Sequence, residues 1–482
     1  MPERSIIIIG AGMAGLSAGC YGQMNGYRTQ IFEKHIKPGG LCTAWTRKGY
    51  TIDTPGYLMG SGPGQKDYYQ MWQELGALRG RTVLDYEEYA RIEGADGQVL
   101  TVYTDIDRLE QHMQELAPQD REVTAEFANV LRAFTGQQVP VDMGKWMGMS
   151  LRSFAAQYKN AFLRQVLSEG LPFMFFFEPE ASIMAVLSAL SLMHLKSAGY
   201  PVGGFWELVK AIEQRYLNLG GEIHYRSAVE RVLLDNNRAV GVRLADGTEH
   251  HGDIVISAAD GRTTIFDMLE GKYVNDEIRG YYDTLPRYAP ILFISVGVAR
   301  SFERVPISVA GDIFPLEEEI TIAGRERKRL GVLIYGFDRS LAPPGKTLLR
   351  VLLPSNYEYW RALREQDRAR YRAEKEQVLD QVITLLDRRY PGLAAQVEMR
   401  DVATPLTFER YTGNWEGTWL GWLATPQTMN VRMSNTLPGL DDFYMAGTWV
   451  MAGSLPGAAA SGRGVAEMIC KEDKKPFVTA VP

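Results

Sequence analysis

Residues 4–20 read RSIIIIGAGMAGLSAGC, and this stretch decides the fold. Ile6 to Ile9 are β-branched, lose little by being extended and are apolar on both faces, which suits the centre of a parallel sheet covered by helices. Gly10, Gly12 and Gly15 follow as G-x-G-x-x-G. In that spacing the first glycine makes a tight turn, the second lets a pyrophosphate approach the backbone, and the third lets a helix pack close to the strand. A helix from about Met13 then points its unpaired N–H groups and positive dipole end at the anion. The apolar run is far shorter than the core of a secretory signal, so a mature, unprocessed N-terminus is expected.

A second apolar segment, Thr29 to Phe32, ends at Glu33, an acidic residue roughly 20 positions downstream, where the ribose hydroxyls of an adenine dinucleotide need an acceptor. Lys34 follows, but a carboxylate at Glu33 repels a 2′-phosphate.

Composition sets the outer bounds. With 482 residues, 45% of them hydrophobic, the chain buries a large core and splits into two or more domains. A net charge of −6 gives no electrostatic reason to expect nucleic acid. Cys20, Cys42 and Cys470 include no C-x-x-C pair, which argues against a redox dithiol or a structural zinc and fits a reduced, cytoplasmic protein. The longest uncharged apolar stretch, residues 181–195, falls short of the roughly 20 residues that span a bilayer.

Along the chain, KPGGLCTAWTRKGYTIDTPGYLMGSGP (37–63) turns at Gly39 and Gly40 into alternating strands, and a second tight turn follows at residues 52–56. Both suggest a backbone shaped around one extended ligand. Residues 105–157 read as charged helix. LPFMFFFEPEASIMAVLSALSLMHL (171–195) reads as a buried helix pair or, more sharply, as the wall of an apolar substrate chamber. Phe205 to Leu217 repeats at helical spacing, Gly220 and Gly221 stop it, and a β-meander follows. Residues 361–389 read as one surface helix with an apolar stripe at Val378, Leu379, Val382, Leu385 and Leu386, and the basic stretch 325–329 as a solvated turn. At the end of the chain, strand Phe443 to Met445, a glycine turn and a helix from Pro456 to Met468, preceded by Gly453, offer a second helix N-terminus to a two-headed cofactor.

The N-terminal GAGMAGLSA with Glu33, then PGGLCTAWTRKGYTIDTPG, YPVGGFWELVKAIEQRYLNLGGEIHYRSAVERV, ISAADG, TPLTFERYTGNWEGTWLGW and YMAGTWVMAGSLPGAAASGR, resemble in order the phytoene desaturase and retinol saturase-like branch of the FAD-dependent amine oxidase superfamily. The resemblance implies an α/β, Rossmann-like FAD-binding domain with a discontinuous substrate domain. The FAD part would comprise residues 1–104, 201–290 and 436–482, with a helical substrate or lid region at 105–200 and a substrate domain at 291–435. It places the FAD diphosphate on Gly10, Gly12, Ala14 and Gly15, with Gly40 and Leu41 beside it, the ribose on Glu33, and an adenine-side contact at Val229. Gly447 and Thr448 would meet the diphosphate and ribityl chain, and Gly457, Ala458 and Ala459 the pyrimidine edge of the flavin. Many relatives carry Arg where this chain has Leu41, so that cationic contact is missing or comes from Arg47. The lysine typical of amine oxidases has no match, which counts against amine oxidation. No second G-x-G-x-x-G exists for a nicotinamide, so oxygen or a quinone is the expected electron acceptor.

The expected function is hydride transfer between flavin N5 and a carbon of an apolar, carotenoid-, lipid- or polyketide-like molecule, desaturating or saturating a C–C bond. Tyr57 and Trp449 are the candidate substrate contacts. Reversible contact with a membrane surface through residues 171–195 is a further expectation. A carotenoid-type cis-trans isomerase, an amine or amino-acid oxidase, and a cofactor-free binding protein of the GDP-dissociation-inhibitor type are the rivals.

Overall fold

A computed structural model describes residues 4–54, 56–175, 178–302, 305–451 and 454–482, with backbone only for 173–175. The opening strand, Ser5–Ile9, takes the centre of a five-stranded parallel sheet ordered Glu222–Tyr225, Arg28–Glu33, Ser5–Ile9, Ile254–Ser257, Phe443–Met445. Its isoleucines serve both faces. Ile6 and Ile8 enter the main core with the helices Met13–Met24, Phe205–Asn218 and Leu455–Glu472, while Ile7 and Ile9 pack against the meander of Val229–Asp235, Arg238–Leu244 and Glu249–His251. A strand covered on both sides buries its backbone polar groups, and the parallel ladder pairs them.

A second sheet has seven strands in the order Val397–Ala403, Ile291–Val298, Thr347–Pro354, Arg325–Ile334, Ser308–Ile322, Glu88–Glu93, Val99–Tyr103. Its last two strands come from the stretch that the sequence assigns to the first FAD-binding segment, so the second sheet draws on residues on both sides of the helical region. Among the helices between, Ile106–Leu116, Arg121–Phe134, Ala161–Phe175 and Met184–His194 form that region.

Two local expectations need correction. Residues 325–329 are a strand, not a solvated turn: exposure alternates along it, and Arg329 turns inward to meet Glu169 Oε2 at 2.7 Å and the Glu93 carbonyl. The helix over 361–389 is two helices, Tyr357–Gln366 and Arg368–Arg389, because Asp367 is extended and caps the second by accepting from Ala369 N–H. The stripe Val378, Leu379, Val382, Leu385, Leu386 faces the second sheet as expected. Leu171, Ile183, Val186, Leu187, Leu190 and Met193 are buried, as the reading of a buried helix pair within 171–195 expects. Phe176 and Phe177 lie outside the described residues, as do Pro55 of the 52–56 turn and Gly453. Among the described residues, no helix is long and apolar enough to cross a membrane.

Candidate active site

Four of the parallel strands end at Ile9, Glu33, Ser257 and Met445, and a cavity of about 590 Å³ opens beyond those ends, lined there by Ile9, Glu33, Ala258 and Gly447. This is where open α/β sheets bind ligands, because the loops leaving the strands diverge and expose helix N-termini.

The glycines divide the work. Gly10 turns at φ +93°, a conformation costly for any side chain. Gly12 lines the cavity, and a Cβ built on it meets nothing within 4 Å, so its face is bare backbone open to a ligand. Gly15 has the opposite character: a Cβ there would lie 1.9 Å from the Gly10 carbonyl oxygen, and the residue is absent from the cavity wall. Its role is the close helix-to-strand packing that the spacing predicts. Ala14, Gly40 and Leu41 line the cavity, and Gly39 N–H donates to the Ala11 carbonyl at 2.8 Å, bringing the second glycine turn against the first.

Glu33 lies buried at the cavity wall. Its Oε2 accepts from Ala11 N–H at 2.7 Å and its Oε1 from His35 N–H at 2.8 Å. Burial pushes this carboxyl up, opposed by those two N–H bonds and by Lys34. A carboxylate has about four lone-pair sites, so two remain for hydroxyl donors. Val229 lines the same end.

At the other side of the turn, Gly447 stands at φ +121° with open space beyond it, and Thr448 and Trp449 continue the wall. Gly447 N–H donates to Ser461 Oγ at 2.7 Å, and that hydroxyl donates to the Ala458 carbonyl at 2.7 Å. The closing helix runs Leu455–Glu472, longer than Pro456 to Met468, and Ser454 caps it by accepting from Gly457 N–H at 3.1 Å. Of Gly457, Ala458 and Ala459, only Ala458 lines the cavity. The sequence reading misses both serines, although Ser454, a Ser directly ahead of a helix with Pro456 in its first turn, carries an N-cap signal.

The far end of the cavity is built by other elements. Tyr57 lines it, its ring centroid 6.1 Å from that of Tyr89, and burial pushes its phenol up to about 12. Tyr288, Leu333, Arg350 and Trp419 complete this end from the second sheet and the loops beside it. Ala185, Ser188 and Ala189 are what the described residues of the 171–195 stretch contribute. Trp449 is both wall and core: it is 4% exposed, and its ring meets that of Trp422 edge-on at 4.8 Å. Arg47 is not a substitute for a cation at Leu41: its side chain is 58% exposed and pairs outside with Asp401 at 3.4 Å. Among the described residues, the cations on the cavity wall are Lys34, beside Glu33, and Arg350.

One comparison decides what this arrangement is. A family described as flavin containing amine oxidoreductase matches residues 13–470. The chain belongs to that family. It is a flavoprotein oxidoreductase that uses FAD. Across 442 aligned residues it is 25% identical to a chloroplastic prolycopene isomerase of Arabidopsis thaliana, covering 86% of this chain and 73% of that protein. It is 24% identical over 515 residues to a lycopene-forming phytoene desaturase of Pseudescherichia vulneris, covering 97% of this chain and 99% of the relative. The fold matches the crystal structure of an oxidoreductase from Methanosarcina mazei with a TM-score of 0.65 at 18% identity, over 96% of this chain and 100% of the other. The backbone accords with the cofactor: Gly12 and Gly447 leave open exactly the faces that side chains would fill.

Proposed function

We propose that this flavoprotein moves a hydride between flavin N5 and a carbon of an apolar, unsaturated small molecule, desaturating or saturating a C–C bond. The observation that carries this reading is the continuity of one cavity, from Gly12 and Glu33 at the sheet to Tyr57, Leu333 and Trp419 at the second sheet. When bound, FAD supplies the hydride chemistry, which no side chain performs. The chain's own residues bind, orient and dry the site. In this reading the Gly10 turn and the open backbones of Gly12 and Gly447 take the diphosphate, with Ala14, Gly40 and Leu41 beside it. Glu33 takes the ribose, and Val229 lies on the adenine side. Thr448 meets the ribityl chain and Ala458 the pyrimidine edge, while Gly15, Gly457 and Ala459 act through packing. Tyr57 and Trp449 border the substrate. The apolar wall excludes water, which protects a transferring hydride from side reactions.

Oxygen or a quinone is the proposed acceptor, and a cytoplasmic enzyme that meets lipid surfaces reversibly fits an apolar substrate. The similarity to a phytoene desaturase supports redox turnover. The similarity to a prolycopene isomerase supports a second reading, cis-trans isomerisation without net electron transfer. Anaerobic mixing of the yellow holoprotein with phytoene and with prolycopene separates them. Bleaching of the flavin with a product lacking a hydrogen pair supports desaturation. A product of unchanged mass from prolycopene supports isomerisation. Release of ammonia from an amine under the same conditions, or a purified protein without flavin colour, sinks both.

A further inference from the structure

The cavity beyond the parallel strands has one wall that the dinucleotide unit does not supply. Tyr411, Thr412, Gly413 and Asn414 line it, at the end of the helix Pro405–Thr412, which follows the edge strand Val397–Ala403 of the second sheet. The segment is braced from within. Gly413 stands at φ +77°, and its N–H donates to the Glu409 carbonyl at 2.7 Å, ending the helix. Asn414 N–H donates to Thr412 Oγ1 at 3.1 Å, and its Nδ2 donates to the Thr418 carbonyl at 3.1 Å.

The two ends of the segment rest on opposite sides of the first glycine turn. On one side the Tyr411 ring meets the His35 ring edge-on at 5.1 Å, and a Cβ on Gly413 would lie 3.4 Å from Lys34 Nζ; His35 and Lys34 come just after the strand Arg28–Glu33. On the other side Trp415 N–H donates at 3.0 Å to Oδ2 of Asp260, which comes just after the strand Ile254–Ser257. The strand Ser5–Ile9, with Gly10 and Gly12 beyond its end, lies between those two strands. Neighbouring strands are about 4.8 Å apart, so the segment crosses about 10 Å and passes over the glycine turn in doing so.

The second anchor is completed from outside the cavity. The Arg287 guanidinium carbon lies 3.6 Å from the Trp415 ring centroid, and its Nη2 pairs with Glu416 Oε2 at 3.0 Å. Glu416 stands at φ +53°, a conformation that a side chain adopts when its surroundings impose it. These holds are few and near the surface: Tyr411 is 46% exposed, and the Arg287–Glu416 pair is partly exposed. A segment held in this way opens at lower cost than the core does.

We propose that residues 411–416 form a gate over the FAD diphosphate, closing on the bound cofactor and lifting to let it enter or leave, with His35 and Arg287 as the positioning residues that hold it shut. The proposal rests on the reading of the glycine turns as the diphosphate site. A gate has a kinetic signature. When both the empty and the loaded protein are mostly closed, loosening the gate raises the open fraction of each, so association and dissociation accelerate together. Losing a residue that only touches the cofactor or supports the fold speeds dissociation alone.

The test uses His35→Ala, Arg287→Ala and the double variant. Neither side chain lines the cavity, and His35 keeps its backbone N–H bond to Glu33 as alanine. The fluorescence of FAD, followed after mixing apoprotein with FAD and after diluting holoprotein, gives the two rates. Each variant is expected to keep the circular dichroism of the parent and to gain severalfold in both rates, the double variant more, while the dissociation constant moves less than either rate. Unchanged rates in all three variants, or faster dissociation without faster association, overturns the proposal. FAD exchange needs no substrate, and Gly12→Val tests the glycine turn without touching the gate, so the two readings fail separately.

Discussion

Ser17 Oγ donates to the carbonyl oxygen of Ala459 at 2.6 Å, joining the first helix of the chain to the last across 442 positions of sequence. The two helices touch so closely that a Cβ on Gly462 would lie 2.2 Å from the Ala14 carbonyl oxygen. Gly10, Gly12 and Ala14 on one side and Gly447 and Ala458 on the other therefore form one wall only if this helix pair is seated.

Gly462→Ala should push the pair apart, since the neighbour is backbone and cannot rotate away. Overpacking of this kind costs about 1 to 3 kcal/mol. The expected outcome is a lower melting temperature together with weaker FAD retention on gel filtration, whereas Gly464→Ala, whose Cβ meets nothing within 4 Å, should change neither.

Gly12→Val separates cofactor binding from folding. The backbone there is φ −70°, ψ 179°, which valine tolerates, and the added side chain enters open cavity. The variant should fold with the circular dichroism of the apoprotein and purify colourless. A yellow Gly12→Val protein would show that the ligand does not approach this turn.

Replacing Glu33 tests the ribose contact, with a complication that the structure reveals. Alanine would remove the acceptor of both Ala11 N–H and His35 N–H, distorting the turn as well as losing ligand bonds. Glu33→Gln keeps one acceptor oxygen. FAD affinity should fall by about 1.5 to 3 kcal/mol in the alanine variant and by less in the glutamine variant, as titration of apoprotein with FAD would report. Equal affinity for parent and both variants would remove Glu33 from the site.

Asp53 predicts a pH dependence of stability. Its carboxyl is pushed up to about 7 by burial, against an unfolded value near 4, so the native state holds the proton more tightly. The stability it contributes is full below about pH 4 and is lost as pH rises through about 7. Asp53→Asn retains an acceptor for Phe205 N–H and cannot ionise. The difference in melting temperature, variant minus parent, should therefore grow from pH 5 to pH 8. A constant difference across that range would mean that Asp53 is ionised throughout.

The strand-helix-strand unit at the start of the chain is legible in the sequence because its signals are local. Ile6 to Ile9, the three glycines and Glu33 sit within one strand-helix-strand unit, where spacing alone brings the first glycine turn and the Glu33 carboxylate to one cavity wall. Phe443 to Met445 and the helix after it were legible for the same reason. The far half was not. Arg350 sits in a strand that reads as ordinary apolar sheet, and Tyr89 and Tyr288 lie 199 positions apart in sequence; they share a wall because the seven-stranded sheet combines Glu88–Tyr103 with residues 291–403. Arg47 looked like the missing cation because it is near Leu41 in sequence, yet the hairpin Ala44–Asp53 carries it outward to Asp401. Residues 325–329 looked like a turn because their charges were counted without the partner strand that takes Arg329 inside. Local geometry fixes where a backbone presents itself to a ligand, whereas the burial of a charge or a phenol depends on what long-range pairing lays over it, and that is decided only in the folded chain.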